Sequence, residues 1–357
     1  MRQTVAEVNL SALEHNVNIL RAHAGSREFL SMVKADAYGH GVIPVVRKLV
    51  EMGLQYFGVA TLEEALEIRR EFPDVEIMIC GDIGPEDFKE AEEENIIITL
   101  HSLTDMKRYV GDKRRTRTHL KIDSGMHRIG LQLKDLPEAY ELVRSIKPEG
   151  IFTHVAKADE LDRTSAEKQV SIFKEAVELF SREGIHFKYV HFSNSAGLVN
   201  LDLSFTNFAR AGISLYGYKP SKDVGAENLR PILSLYSEIS DIRELEAGEG
   251  VSYSHIFVTD QPSTIATMPI GYADGYKRNL SNRSRVYIGG EYYPQVGRIT
   301  MDQTMVDVTG SPVKLRDPVE LMGEHVTADE LAEMLDTISY EILTSIGKRV
   351  PRRYVED

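Results

Sequence analysis

The residues best able to do chemistry in this 357-residue chain stand at the ends of short apolar runs. Lys34 closes EFLSMVK, Lys121 and Asp123 close THLKID, and His154 falls in GIFTHV. Ser193, Asn194 and Ser195 follow KYVHF, and Arg210 lies within FARAGISL, with Gly212 and Ile213 just beyond it. A lysine in an apolar run is unusual, because its ammonium is rarely buried without a partner. One reading is a packed stem whose charged end reaches water. The other is a nucleophilic amine, which attacks an aldehyde once desolvation or a neighbouring cation keeps part of it neutral. Spacing leaves both open. A glycine lets backbone approach an anion closely, and consecutive amides can cradle one, although RAGISLYG also reads as a strand bending at its glycine.

Positioning these residues falls to eight β-branched, apolar runs: EFLSMVK (28–34), QYFGVA (55–60), VEIMIC (75–80), IIITL (96–100), THLKID (118–123), GIFTHV (150–155), KYVHFS (188–193) and FARAGISL (208–215). Between most of them lie patterns such as PVVRKLVEM, LEEALEIRREF, PEDFKEAEEEN, LPEAYELVRSI and AEKQVSIFKEAVELFSR, with apolar residues three and four apart, as a core-facing helix requires. SNSAGLVNLDLSFTN is the weakest helical pattern. Strand–helix alternation predicts a parallel sheet covered by helices. Eight such strands close into a (β/α)8 barrel, whose strand C-termini share one functional face. A doubly wound open sheet is the alternative, but its Gly-rich dinucleotide fingerprint is missing from the first βα turn.

Beyond residue 230 the texture changes. ILSLYSEI, VSYSHIFVT, STIATMPI, SRVYIGGEYYPQV, TMVDVT and PVELMG read as closely spaced strands, with ADELAEMLD and YEILTSIG helical. The expectation is an α/β protein: a TIM-type barrel over residues 10–230, then a mainly-β domain over 231–357 with which residues 1–9 pack.

A formal net charge of -13 argues against a nucleic-acid or anionic-membrane surface and fits an enzyme acting on a small molecule. A single cysteine, Cys80, excludes an intrachain disulfide and suits a reducing compartment. No apolar run has the makings of a signal peptide or approaches the roughly 20 residues a membrane helix needs. The chain reads as a soluble, cytoplasmic protein.

MVKADAYGHG resembles the pyridoxal-phosphate (PLP) lysine motif of alanine racemases. The resemblance continues in order through LKIDSGMHRIG, THVAKADE, HFSNSAG, RAGISLYG, GVSYSHIFVT, MPIGYADGYKR, VGRITMDQTMVDVT, DPVELMGE and RVPRRY, spanning both halves. It implies a PLP-dependent racemase that interconverts L- and D-alanine for peptidoglycan, as a homodimer with shared sites. Lys34 would carry the cofactor and act as acid/base on one face of the substrate Cα. Tyr253, given by the partner protomer, would act on the other. A phenol is a poor base at its ordinary pKa of about 10, so such a tyrosine needs cationic or hydrogen-bonding neighbours. His154 corresponds to the family residue touching it, and Arg210 to the one facing the pyridine nitrogen.

The resemblance further implies that Tyr38, Ser195, Gly212, Ile213 and Tyr354 hold the phosphate. Arg128 and Met301 would seat the substrate carboxylate, a guanidinium matching that group bidentately. Tyr272 and Asp302 would line the access path. Lys121 matches a lysine often carbamylated, an anion that would orient Arg128; the plain alternative is a Lys121–Asp123 pair. No metal is implied. Two residues depart from the family pattern: His127 stands where glycine is usual, and Lys157 where a small polar residue is usual. Competing readings are a serine or broad-specificity racemase on the same fold, or a PLP-binding protein without turnover. Retention of Tyr253, His154 and Arg128 speaks against the last.

Overall fold

A computed structural model describes residues 3–112 and 115–356; Met1, Arg2 and Asp357, at the ends of the expected domain ranges, lie outside the described residues. The chain divides into two compact units. One comprises Leu13–Ala37 and Val42–Arg230, the other Met1–Ala12, Tyr38–Gly41 and Pro231–Asp357.

Strand β1 (Val5–Asn9) and helix α1 (Leu10–Ala24) lead into eight parallel strands. These are β2 (Glu28–Met32), β3 (Tyr56–Val59), β4 (Glu76–Ile79), β5 (Ile98–Leu100), β6 (Thr118–Lys121), β7 (Gly150–Phe152), β8 (Tyr189–His191) and β9 (Phe208–Ala211). Their order is β4-β3-β2-β9-β8-β7-β6-β5. The ring is completed by a parallel bridge between Met78 and Ile97, with Ile97 donating to the Ile77 carbonyl and accepting from the Ile79 amide, both at 2.8 Å. The expected barrel is therefore present. Its strands are buried almost end to end, as strands covered on both faces must be.

Helices fill the crossovers: α2 (Lys34–Gly39), α3 (Val42–Glu51), α4 (Leu62–Glu71), α5 (Phe88–Glu93), α6 (Leu103–Asp112), α7 (Leu136–Ile146), α8 (Thr164–Arg182) and α9 (Ser195–Asn200). The three-and-four spacing explains α8, which buries Ala166, Val170, Phe173, Ala176 and Phe180 along one stripe. The weak SNSAGLVNLDLSFTN pattern yields only the six residues of α9. FARAGISL also differs from its expected strand, which stops at Ala211. Ile213–Tyr216 form a 3₁₀ turn, and the Tyr216 hydroxyl donates to the Met32 carbonyl at 2.9 Å.

The other unit is mainly β, as expected. It contains β10 (Leu233–Glu238), β11 (Asp241–Leu245), β12 (Gly250–Val251), β13 (Phe257–Val258), β14 (Ser263–Met268), β15 (Arg285–Ile288), β16 (Glu291–Pro294), β17 (Thr304–Asp307), β18 (Pro318–Met322) and β19 (Arg352–Val355), with α10 (Ala328–Met334) and α11 (Ser339–Thr344). One sheet runs β16-β15-β18-β10-β1-β19 and another β11-β14-β17. β1 pairs parallel with β19, from the far end of the sequence, and antiparallel with β10. VSYSHIFVT is not one strand. It breaks into the two-residue β12 and β13 around an irregular segment at Tyr253–His255.

Candidate active site

Lys34 follows β2 at the barrel's functional face and is exposed. The backbone after it is left-handed: Ala35, Asp36, Ala37 and Tyr38 have φ of 53°, 54°, 52° and 54°. For L-residues this costs about 1–2 kcal/mol each, so something must impose it. Glu64, on α4, accepts from the Ala35 amide at 2.7 Å with one carboxylate oxygen and from the Ala60 amide at 2.8 Å with the other. Asp36 accepts from the Val42 amide at 2.7 Å, and Ala37 donates to Val33 at 2.9 Å. The turn continues into Gly39 and Gly41, with φ of 85° and 93°. A Cβ at Gly39 would run into the Leu343 carbonyl, and one at Gly41 into the Tyr354 hydroxyl. Strain on this scale is characteristic of functional sites.

Arg210 is buried on β9 and held from several directions. Its Nη1 donates to His191 Nδ1 at 3.1 Å, and its Nη2 to His154 Nδ1 and the Thr153 carbonyl, both at 3.0 Å. Because a guanidinium only donates, both imidazole Nδ1 atoms must accept, which leaves their protons on Nε2. His191 Nε2 then donates to His119 Nδ1 at 3.0 Å. His119 in turn carries its proton on Nε2, a buried atom with no hydrogen-bond partner among the described residues. Burial holds His119 neutral, its pKa lowered to about 3. His154 and His191 are held well below the usual histidine range by burial and by nearby cations or histidine. His191 also stacks flat on Phe152, centroids 4.8 Å apart.

Lys121 is buried at the end of β6, its Nζ 5.2 Å from the Phe152 ring centre. Burial lowers its pKa to about 8, helped by Arg210, Arg128 and Lys34. The plain Lys121–Asp123 pair is not formed. Asp123 turns away, accepting from the Gly125 amide at 3.1 Å, the His127 amide at 2.9 Å and the His127 ring at 3.0 Å. Lys121, Asp123, Met126, Arg128, Thr153 and His154 border one small recess. Arg128 is exposed there.

Ser193 and Ser195 serve different ends. Ser193 accepts from the Arg210 amide at 2.8 Å, fixing β9. Ser195 Oγ accepts from the Gly212 and Ser214 amides at 2.9 and 3.3 Å, so its own proton points elsewhere. Asn194 caps α9 by accepting from Gly197 at 2.8 Å.

Of the remaining sequence-singled residues, all but Lys157 belong to the other unit. Tyr38 is buried against Tyr340, ring centres 6.1 Å apart, and the Tyr354 hydroxyl donates to the His40 carbonyl at 3.1 Å. Tyr253, Met301 and Tyr272 are 70, 52 and 41% exposed, which is unusual for side chains of this size. Tyr253 sits between residues of positive φ, Ser252 (62°) and Ser254 (61°). The Tyr272 amide donates to the Thr300 carbonyl and the Ala273 amide to that of Met301, so these two segments lie together. Asp302 accepts from Arg349 at 2.7 Å. Lys157, the second departure, pairs with Glu160 on an exposed turn.

The barrel thus gathers Lys34, Lys121, Arg128, His154, Ser195, Arg210, Gly212 and Ile213 at one face. Sequence reading missed Glu64, His119 and His191. The only signal for the last two was a histidine inside each of two apolar strands, 72 residues apart. The gathered groups are donors: two amines, two guanidinium groups, an imidazole N–H, a serine hydroxyl and the Ile213 backbone amide. Such a set fits a phosphorylated aldehyde with an aromatic nitrogen, and PLP has that chemistry.

The comparisons agree over the whole chain. The family model described as alanine racemase, N-terminal domain, matches residues 8–220, and that for the C-terminal domain matches 232–354. An alanine racemase from Geobacter sulfurreducens is 40% identical, covering 99% of this chain and 97% of that protein. Alanine racemase 2 from Caldanaerobacter subterraneus subsp. tengcongensis is 38% identical over 99% of this chain and 95% of its own length. The alanine racemase structure from Clostridium difficile 630 superposes with a TM-score of 0.93 at 37% identity, covering 100% of this chain and 97% of that one. The Bacillus anthracis alanine racemase structure, with bound L-Ala-P, has a TM-score of 0.94 at 34% identity, covering 99% and 95%. With both halves matched in order and at 38–40% identity over nearly the full length, the chain belongs to the alanine racemase family of PLP-dependent isomerases.

Proposed function

We propose that this chain interconverts L- and D-alanine with PLP, in a cytoplasmic homodimer that shares its sites and supplies D-alanine for peptidoglycan. The observation that carries this reading is Arg210, buried and clamped by His154, His191 and Thr153 at the barrel face that also presents Lys34. An always-protonated donor held that rigidly has one evident use, to oppose an acceptor such as a ring nitrogen. Lys34 would hold the cofactor through its amine. Ser195, Ile213, Tyr38 and Tyr354 would hold its phosphate, with Gly212 acting through the Ser195 hydroxyl. When bound, PLP supplies the electron sink that acidifies the substrate Cα–H. Arg210, which can only donate, would oppose protonation of the ring nitrogen, weakening that sink and restraining side reactions such as transamination.

Racemisation needs a proton removed from one face and returned to the other. Lys34 serves one face and Tyr253 of the second protomer serves the other. His154, its proton fixed on Nε2 by Arg210, would donate to the phenolic oxygen and favour phenolate there. Arg128, with Met301 of the second protomer, seats the substrate carboxylate. Lys121 carries a carbamate that orients Arg128; an amine with a pKa of about 8 has the neutral fraction which attack on carbon dioxide requires. Tyr272 and Asp302 line the access path. The exposure of Tyr253, Met301 and Tyr272 supports a surface completed by a second copy.

Incubation of the PLP-loaded protein with L-alanine in deuterated water should yield D-alanine deuterated at Cα. Lys34→Ala and Tyr253→Phe should each be inactive, yet mixed and reassociated they should regain about a quarter of parent activity. Random pairing makes about half the dimers mixed, and each mixed dimer has one intact site of two. Absence of D-alanine from the parent would overturn the substrate. Absence of recovery on mixing would overturn the shared site.

A further inference from the structure

His127 occupies a position at which a side chain is costly. Its φ is 55°, a left-handed conformation most residues avoid, in the loop that carries Arg128. Glycine would be easier there, so the imidazole needs a compensating role. The loop leaves β6 and returns to it: Leu131 donates to the Lys121 carbonyl and accepts from the Asp123 amide, both at 2.9 Å. Asp123, at its base, is one of the residues that border a small recess together with Lys121 and Arg128. An anion in that position would compete with a substrate carboxylate for either cation. It does not do so here. One Asp123 oxygen takes the Gly125 and His127 amides, and the other takes the His127 ring at 3.0 Å. The imidazole is exposed while the carboxylate it covers is only 5% exposed.

We propose that His127 is a positioning residue that occupies the Asp123 carboxylate and so leaves the Arg128 guanidinium to the substrate carboxylate. This rests on the reading of Arg128 given above. The imidazole takes the single Asp123 oxygen that the backbone leaves over, and it does so with either a neutral or a charged ring, since Nδ1 carries a proton in both. Burial pushes the Asp123 carboxyl up, but the His127 and Gly125 amides and the imidazole more than offset this and hold it below the usual carboxylate range. It is therefore an anion throughout the working range, and holding it aside matters at every pH where the enzyme acts.

The test uses His127→Gly, which keeps the left-handed backbone and both amide bonds while deleting only the ring. Its KM for alanine should rise about three- to five-fold, the scale of an exposed ion pair, with kcat within about twofold. Calorimetric affinity of the holoenzyme for propionate, a carboxylate that cannot racemise, should fall by the same factor. His127→Asn, which tolerates this conformation and can still donate to Asp123, should retain parent values. Adding Asp123→Asn to His127→Gly should restore KM, because the competing charge is then gone. An unchanged KM in His127→Gly, or a double variant no better than the single, overturns the inference. If Arg128→Leu leaves propionate affinity unchanged in an active parent, the reading of Arg128 fails instead.

Discussion

The two halves of the proposed chemistry are built in opposite ways. On the barrel, Arg210 is buried and every imidazole near it has its tautomer dictated by donors and acceptors of the same unit. Around Tyr253 the reverse holds: the ring is 70% exposed, its flanking residues are strained, and no hydrogen bond to its hydroxyl is present among the described residues. A small core of Val251, Ile265, Val296 and Met305 lies under this segment and fixes the backbone, leaving the ring unengaged. One half is organised from within, then, and the other is a group presented to solvent, as the proposed shared site would require. A charge must be braced by its own fold because leaving it unpaired in the interior is costly. A phenol, by contrast, costs little to leave in water.

That contrast can be broken by substitution. Tyr253→Phe should lower kcat by about a thousand-fold or more, the range for removing an acid/base, while PLP affinity and the urea midpoint stay at parent values. A large loss of stability would mean that Tyr253 is a structural residue after all. Arg210→Gln should lose about a hundred-fold in racemisation, expose dead-end transamination on long incubation, and also weaken folding, since it strips His191 and His154 of their donor. Retained stability in that variant would contradict a braced interior. Lys121 gives a gentler probe. With labelled bicarbonate, a carbamate carbon signal should grow as pH rises through about 8 and be missing from Lys121→Ala; its absence from the parent would leave Arg128 without that orienting anion.

The smallest effect concerns acid stability. His119 stays neutral in the fold down to about pH 3, while in the unfolded chain it titrates near 6.5. Between those values the unfolded state binds the extra proton, so stability rises with pH and is lost on acidification. Each such histidine steepens the acid limb by up to about 1.4 kcal/mol per pH unit. His119→Leu should flatten that limb by one proton in urea titrations from pH 7 to 4. An unchanged slope would show that the buried imidazole is not held neutral.

Much of this was legible in the sequence, because strand–helix alternation is local and a barrel shares its strand ends. Lys34, Lys121, His154 and Arg210 could be found by asking what closes each apolar run. The left-handed turn after Lys34 could not. ADAY has ordinary right-handed preferences, and the turn is imposed by Glu64, Asp36 and the glycines after it. His119 and His191 looked like strand residues, since their partnership is made by sheet register alone. The break in VSYSHIFVT was hidden for a similar reason: serine and histidine carry no turn signal as strong as glycine or proline. Likewise β19 pairs with β1 across some 346 positions, a relation no window of sequence contains.

The last pairing bears on how the protein is made. β1 lies between β10 and β19, and its Ala6 and Val8 are fully buried there. A ribosome delivers β1 at once but its first partner, Leu233, only some 225 residues later, which is roughly ten to forty seconds of synthesis. All eight barrel strands emerge in that interval. Throughout it, β1 is an open edge able to pair with a neighbouring nascent chain, so yield of native protein should depend on translation speed and chaperone supply more than on the equilibrium stability of either unit.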